Sequence, residues 1–119
     1  MTIQGSRKAS LEKTVLDNLN TAILLFDEAM QLAYINPAGE VLFAVSARHV
    51  LGQRANDLVA CPDHPVEPRL RRALATRHPF TEREVNIRVT DGRTITVNCT
   101  VLPLHHFESA PELLMELHQ

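Results

Sequence analysis

Residues 16–46 read LDNLNTAILLFDEAMQLAYINPAGEVLFAVS, and this stretch decides the fold. Two short apolar runs, Ala22–Phe26 and Leu32–Ile35, flank Asp27-Glu28-Ala29-Met30. Each run is too short for a helix and is bounded by turn formers, so the pair predicts a hairpin of two buried strands. The turn has no glycine, which leaves its type open. Asn36-Pro37 then opens a helix. Asparagine is a good N-cap, and proline at the first helical position loses no useful donor. Val41, Leu42 and Val45 give that helix an apolar face, with Phe43 beside it.

Upstream, residues 1–9 are polar and expected to fray. Ser10 can cap a short helix running to about Leu19, with Leu11, Val15, Leu16 and Leu19 in one stripe. A helix this short is marginal alone in water, so the stripe must dock, either on the chain's own sheet or on a second copy. Downstream, Ser46 reads as another cap, Gly52 as a stop about six residues later, and residues 56–60 as a single turn. CPDHPVEP, with Pro62, Pro65 and Pro68, is a loop. A helix follows to about Arg77. Val66, Leu70, Ala73 and Leu74 are its buried side, and Arg69, Arg71, Arg72 and Arg77 face outward.

The last third alternates. Val85, Ile87 and Val89 interleave with Glu84, Asn86 and Arg88. Ile95, Val97, Cys99 and Val101 interleave with Thr94, Thr96, Asn98 and Thr100. Asp91-Gly92 between them is a strong hairpin signal. Leu113, Met115 and Leu117 make a final strand after the loop HHFESAP. Period-two alternation puts one sheet face on a core and leaves the other for water or another protein. The order predicts an antiparallel α+β domain, with residues 1–20 as tail and amphipathic helix and residues 21–119 as the domain proper.

Composition limits the function classes. The chain has 119 residues, one domain's worth, and is 45% hydrophobic, enough for a core without staples. Twelve Lys and Arg against fourteen Asp and Glu give a net charge of −2, which lacks the basic excess of a nucleic-acid binder. No tryptophan and only five Phe and Tyr argue against a base-stacking platform. Cys61 and Cys99, widely spaced, read as buried, reduced thiols of a cytoplasmic protein. MTIQGSRKAS lacks the apolar run of a signal peptide. The longest apolar runs fall far below the ~18 residues of a membrane span.

The combined order resembles the PAS domains, a family of small sensory folds. The residues that carry the likeness are the strand ending in Asp27, the strand ending in Tyr34-Ile35-Asn36, then Asn36-Pro37-Ala38, Ser46 and Leu51-Gly52 at the usual spacing. Asp91-Gly92-Arg93 is a further match, in the hairpin that the resemblance assigns to the fourth and fifth strands. Ala44-Val45 departs from it, where many members place a glycine. Residues 16–46 are similar in particular to the N-terminal PAS domains of the NtrB group of nitrogen-regulation histidine kinases, and the likeness covers roughly residues 14–118. It implies a PAS fold: a five-stranded antiparallel sheet with short helices on one face and an N-terminal amphipathic helix. It also implies a two-component parent that phosphorylates an NtrC-like response regulator under control of the PII protein. The phosphoacceptor histidine and ATP-binding motifs of such kinases lie downstream of this domain. His105-His106 lacks the His-Glu phosphoacceptor context, so no catalytic residue carries over.

Gly5, Gly39, Gly52 and Gly92 are isolated, so there is no phosphate-cradling loop. There is no serine-hydrolase elbow either. Cys61 and His64 are two metal ligands without a second pair, and none is expected to hold zinc. Some PAS domains bind haem through a histidine near the long helix, but His64 and His78 lie in no haem motif. Ala60-Cys61-Pro62 does not match the Asn-Cys-Arg setting of flavin light sensors. No cofactor is therefore expected. The arginines of residues 66–77 read as a solvated face. A ligand pocket between sheet and helices would draw on Leu25, Tyr34, Phe43, Leu70, Leu74, Val97 and Met115, and a packed core is preferred to it.

The leading expectation is a regulatory PAS module of an NtrB-like kinase, without membrane or nucleic-acid partners. It would act by homodimerisation and contact, with Leu11, Val15 and Leu19 pairing subunits beside an exposed sheet face. The alternative is a ligand- or cofactor-sensing PAS domain of another regulator. From a different class comes a small α+β enzyme with a deep pocket, which needs Asp27 or Asp57 buried against a histidine. The end at Leu117-His118-Gln119 reads as a domain boundary.

Overall fold

The computed structural model describes residues 15–62, 65–104 and 112–119. Residues 15–17 are the end of a helical turn; Leu11 and the rest of the expected N-terminal helix lie outside the described residues. Strand β1 (Ala22–Phe26) and strand β2 (Leu32–Ile35) form the expected hairpin. Its turn is built by a side chain rather than a glycine. Asp27 Oδ1 accepts from the Ala29 and Gln31 amides, both at 2.9 Å. Met30 takes the left-handed backbone, φ 63°, and its side chain is fully buried, which offsets the strain.

Four short helices follow. In α1 (Pro37–Phe43), Asn36 caps the first turn by accepting from the Gly39 amide at 2.9 Å. The apolar face matches the expected one in part, since Leu42 and Val45 pack against the core partly buried. Gly39 and Phe43, four apart, point into the core, while Val41 stands 79% exposed. The helix stops at Ala44 in the left-handed region, φ 58° and ψ 48°. Helix α2 (Ala47–Val50) begins after Ser46, but the serine side chain makes no cap bond. The Glu40 carboxylate accepts from the Ala47 amide instead, at 2.6 Å. Gly52 ends that segment at φ 88°. Helix α3 is Ala55–Leu58, and α4 is Glu67–Thr76 with Val66, Leu70 and Ala73 buried.

Strands β3 (Phe80–Arg88), β4 (Thr94–Pro103) and β5 (Leu113–His118) complete an antiparallel sheet ordered β2-β1-β5-β4-β3. The Asp91-Gly92 turn joins the third and fourth strands, which corrects the assignment to the fourth and fifth. Strand β3 starts five residues before Val85 because a bulge lies between Glu82 and Val85. Phe80 and Glu82 share the inner face with Val85 and Ile87, but one extra residue separates the two pairs, so strict alternation breaks. The loop at 105–111, including His105 and His106, lies outside the described residues. Leu24, Phe26, Val97, Val101 and Met115 from the inner sheet face join Phe43, Leu58 and Leu70 from the helices in one apolar core.

Candidate functional site

The core holds four of the seven pocket candidates. Phe43, Leu70, Val97 and Met115 are buried in the single apolar cluster, and Leu74 packs against it partly buried. Leu25 and Tyr34 stand elsewhere, which corrects the proposed lining. They pair across β1 and β2, and neighbouring Leu24 points into the core, so both side chains emerge on the outer face of the sheet. Seven residues split between two faces do not line one pocket.

The outer face near β1 and β2 is where the N-terminal segment attaches. The Tyr34 hydroxyl donates to the Asp17 carboxylate. Burial, then this bond, then the charges of Asp17 and Glu40 keep the phenol protonated well above its ordinary range. Asn36, fully buried, donates through Nδ2 to the Leu16 carbonyl at 3.1 Å and the Thr21 carbonyl at 2.9 Å. Its Oδ1 accepts from Ile23 N and Gly39 N, each at 2.9 Å. Sequence reasoning found only the cap. The further role shows as complete burial of a polar side chain, which the sequence does not display.

Beside this attachment runs an open groove of about 600 Å³, bordered by Leu19, Ala38, Val41, Leu42 and the end of β5 at Leu117. Val15 is 52% exposed and Leu19 41% exposed. Together with Val41 they are three of the large apolar side chains left facing solvent among the described residues. Leu102 on β4 is another, on the outer face beside Leu114 of β5.

The polar candidates spread out. Asp27 spends its carboxylate on the hairpin turn. Asp57 and His49 are both exposed and border a surface cleft of about 510 Å³ with Gln53 and Arg88. His78 is exposed, Cys61 half-buried, and His64 outside the described residues. Among the described residues no three His, Cys, Asp or Glu side chains come together as a metal site would need. Cys99 is buried in the core, where desolvation first and Cys61 second push its thiol up to about 12.

Glu67 was unanticipated. Its buried carboxylate accepts from Arg54 Nε at 3.2 Å and from the Asn56 amide at 3.1 Å, and Arg54 Nη2 adds a charged contact. The Asn56 side chain returns the support by accepting from Val66 N and Glu67 N at 3.1 and 2.9 Å, which caps α4. Hydrogen bonding from Arg54 is the main reason the Glu67 carboxyl is held below its ordinary range. The clasp fixes α3 to α4 across the proline loop. Arg69 pairs with Glu82 of β3, so this arginine is not simply solvated.

The family pattern described as the PAS fold matches residues 12–119. The sensory histidine kinase/phosphatase NtrB of Vibrio alginolyticus is 32% identical over 95 residues, covering 80% of this chain and 27% of that protein. NtrB of Escherichia coli O157:H7 is 31% identical over 86 residues, covering 72% and 24%. The chain thus spans about a quarter of the length of these relatives. The crystal structure of the PAS domain of nitrogen regulation protein NR(II) from Vibrio parahaemolyticus superposes with a TM-score of 0.74 at 29% identity, covering 92% of this chain and 97% of that one. The PAS domain of an HTR-like protein from Haloarcula marismortui superposes at 0.75 with 15% identity, a likeness of fold alone.

Proposed function

The chain belongs to the PAS family, and from that premise we propose that it is the regulatory input module of an NtrB-type histidine kinase, working by self-association and contact. The observation that supports this reading is the pair Val15 and Leu19. Both are apolar and about half-exposed, Val15 on the helical turn at residues 15–17 and Leu19 just after it. A second copy that covers them stabilises both the segment and the pair. Leu25, Leu114 and Leu102 stand side by side on the outer sheet face as a second apolar strip for a partner.

In this reading the chemistry lies in the parent protein. Kinase domains follow the module, and their partners are an NtrC-like response regulator and a PII protein. The module itself takes no cofactor. A cytoplasmic place fits, and no helix among the described residues is long and apolar enough to cross a membrane. The test is the reading frame beyond Gln119. A His-Glu phosphoacceptor helix followed by an ATP-binding domain is the expected result. A DNA-binding or transport domain there would overturn the assignment to this kinase group.

A further inference from the structure

The attachment of residues 15–21 converges on one side chain. Asn36 has two donors and one acceptor oxygen in its amide, and the structure uses all of them. The donors hold Leu16 and Thr21 of the N-terminal segment, and the oxygen holds Ile23 of β1 and Gly39 of α1. The amide is planar and fully buried, so its two ends move together. Gly39 permits the close approach. A Cβ there would meet Ile35 Cγ1 at 2.7 Å and Asn36 Oδ1 at 3.3 Å. Tyr34, two residues before Asn36, fastens the same segment from the outer face through Asp17. Within the segment, Asn18 N bonds to Val15 O at 3.1 Å and Leu19 N to Leu16 O at 3.4 Å. Tyr34 and Asn36 tie it to the end of β2 and the start of α1.

We infer that Asn36, with Tyr34, is the joint that passes a displacement of the N-terminal segment into β1 and α1. The inference rests on the dimerisation reading only for its use, because Val15 and Leu19, which a second copy would grip, ride on that segment. Asn36 and Tyr34 act here as positioning residues. The coupling is a free energy between two places, and a mutant cycle measures it.

The experiment is amide hydrogen exchange on the 119-residue chain, at one concentration where all variants share the same oligomeric state. Asp17→Ala removes the strap and touches neither Ile23 N nor Gly39 N. The joint predicts that those two amides exchange roughly three- to tenfold faster, the scale of one lost hydrogen bond. In Asn36→Ser, which lacks the donors to Leu16 and Thr21, Asp17→Ala should change them less than twofold. A change confined to residues 15–19 in the Asp17→Ala chain would overturn the joint, whatever Asn36→Ser does. The sedimentation of the wild-type chain is read separately. A monomer would remove the dimer reading and leave the exchange result to decide the joint.

Discussion

Ala44 and Met30 share a left-handed backbone, φ 58° and φ 63°, and replacing each by glycine should move stability in opposite directions. An L-residue in this region costs about 1–2 kcal/mol relative to its right-handed form, which glycine does not incur. Glycine gives back about 0.4–1 kcal/mol through the greater entropy of its unfolded chain. At Ala44 nothing else changes, because the methyl group is exposed and the amide bonds to Glu40 and Val41 remain. Ala44→Gly should therefore stabilise by about 0.5–1 kcal/mol and raise the thermal midpoint by roughly 2–6 °C. Met30 is fully buried. Met30→Gly forfeits that packing, which outweighs the relieved strain and leaves a net loss of about 1–4 kcal/mol. Urea unfolding followed by circular dichroism measures both, with unchanged m-values showing that unfolding exposes the same surface in each variant. A destabilised Ala44→Gly, or a Met30→Gly as stable as the parent, would refute the reasoning that burial sets the sign.

Asn36→Ala removes a cap and leaves the Ile23 amide buried without its acceptor. It should cost about 2–4 kcal/mol in the same unfolding assay. Glu67 has a carboxyl held below its ordinary range, so it contributes stability above its unfolded pKa of about 4.3, and that contribution is lost as pH falls through the lower folded value. Wild-type stability should thus drop more steeply than that of Glu67→Gln as pH is lowered from about 5 to 3, and parallel slopes would count against the clasp. Cys61 should react with a thiol reagent far faster than Cys99, whose thiol is buried and pushed up to about 12. Mass spectrometry of briefly alkylated native protein reads the order, and equal labelling would contradict the burial of Cys99.

How far the sequence revealed this molecule depended on the local rule each element obeys. Strand β4 alternates cleanly because one face is covered and the other wet, and Gly92 takes the left-handed φ of 92° that the hairpin turn needs. Strand β1 is apolar on both sides, with Ile23 and Leu24 both buried, so period two says nothing about which side is the core. The sequence pattern therefore puts Leu25 and Tyr34 inside, where the structure has Leu24. Strand β3 contains a bulge that no single residue announces, so the alternation shows only the part after it. In α1, seven residues give too few turns for a moment to separate Val41 from Phe43. The Asn36 joint and the Glu67 clasp are tertiary. Their partners lie up to twenty residues away, where a one-dimensional pattern has no reach.

The central claim, a module that works by pairing through its N-terminal segment, is tested most directly by sedimentation equilibrium of the wild-type chain beside Val15→Glu/Leu19→Glu. The account predicts twice the 13.3 kDa chain mass for the wild type at high micromolar concentration and a folded monomer for the double variant. A wild type that stays monomeric throughout, or a double variant that pairs as tightly as the parent, would contradict it.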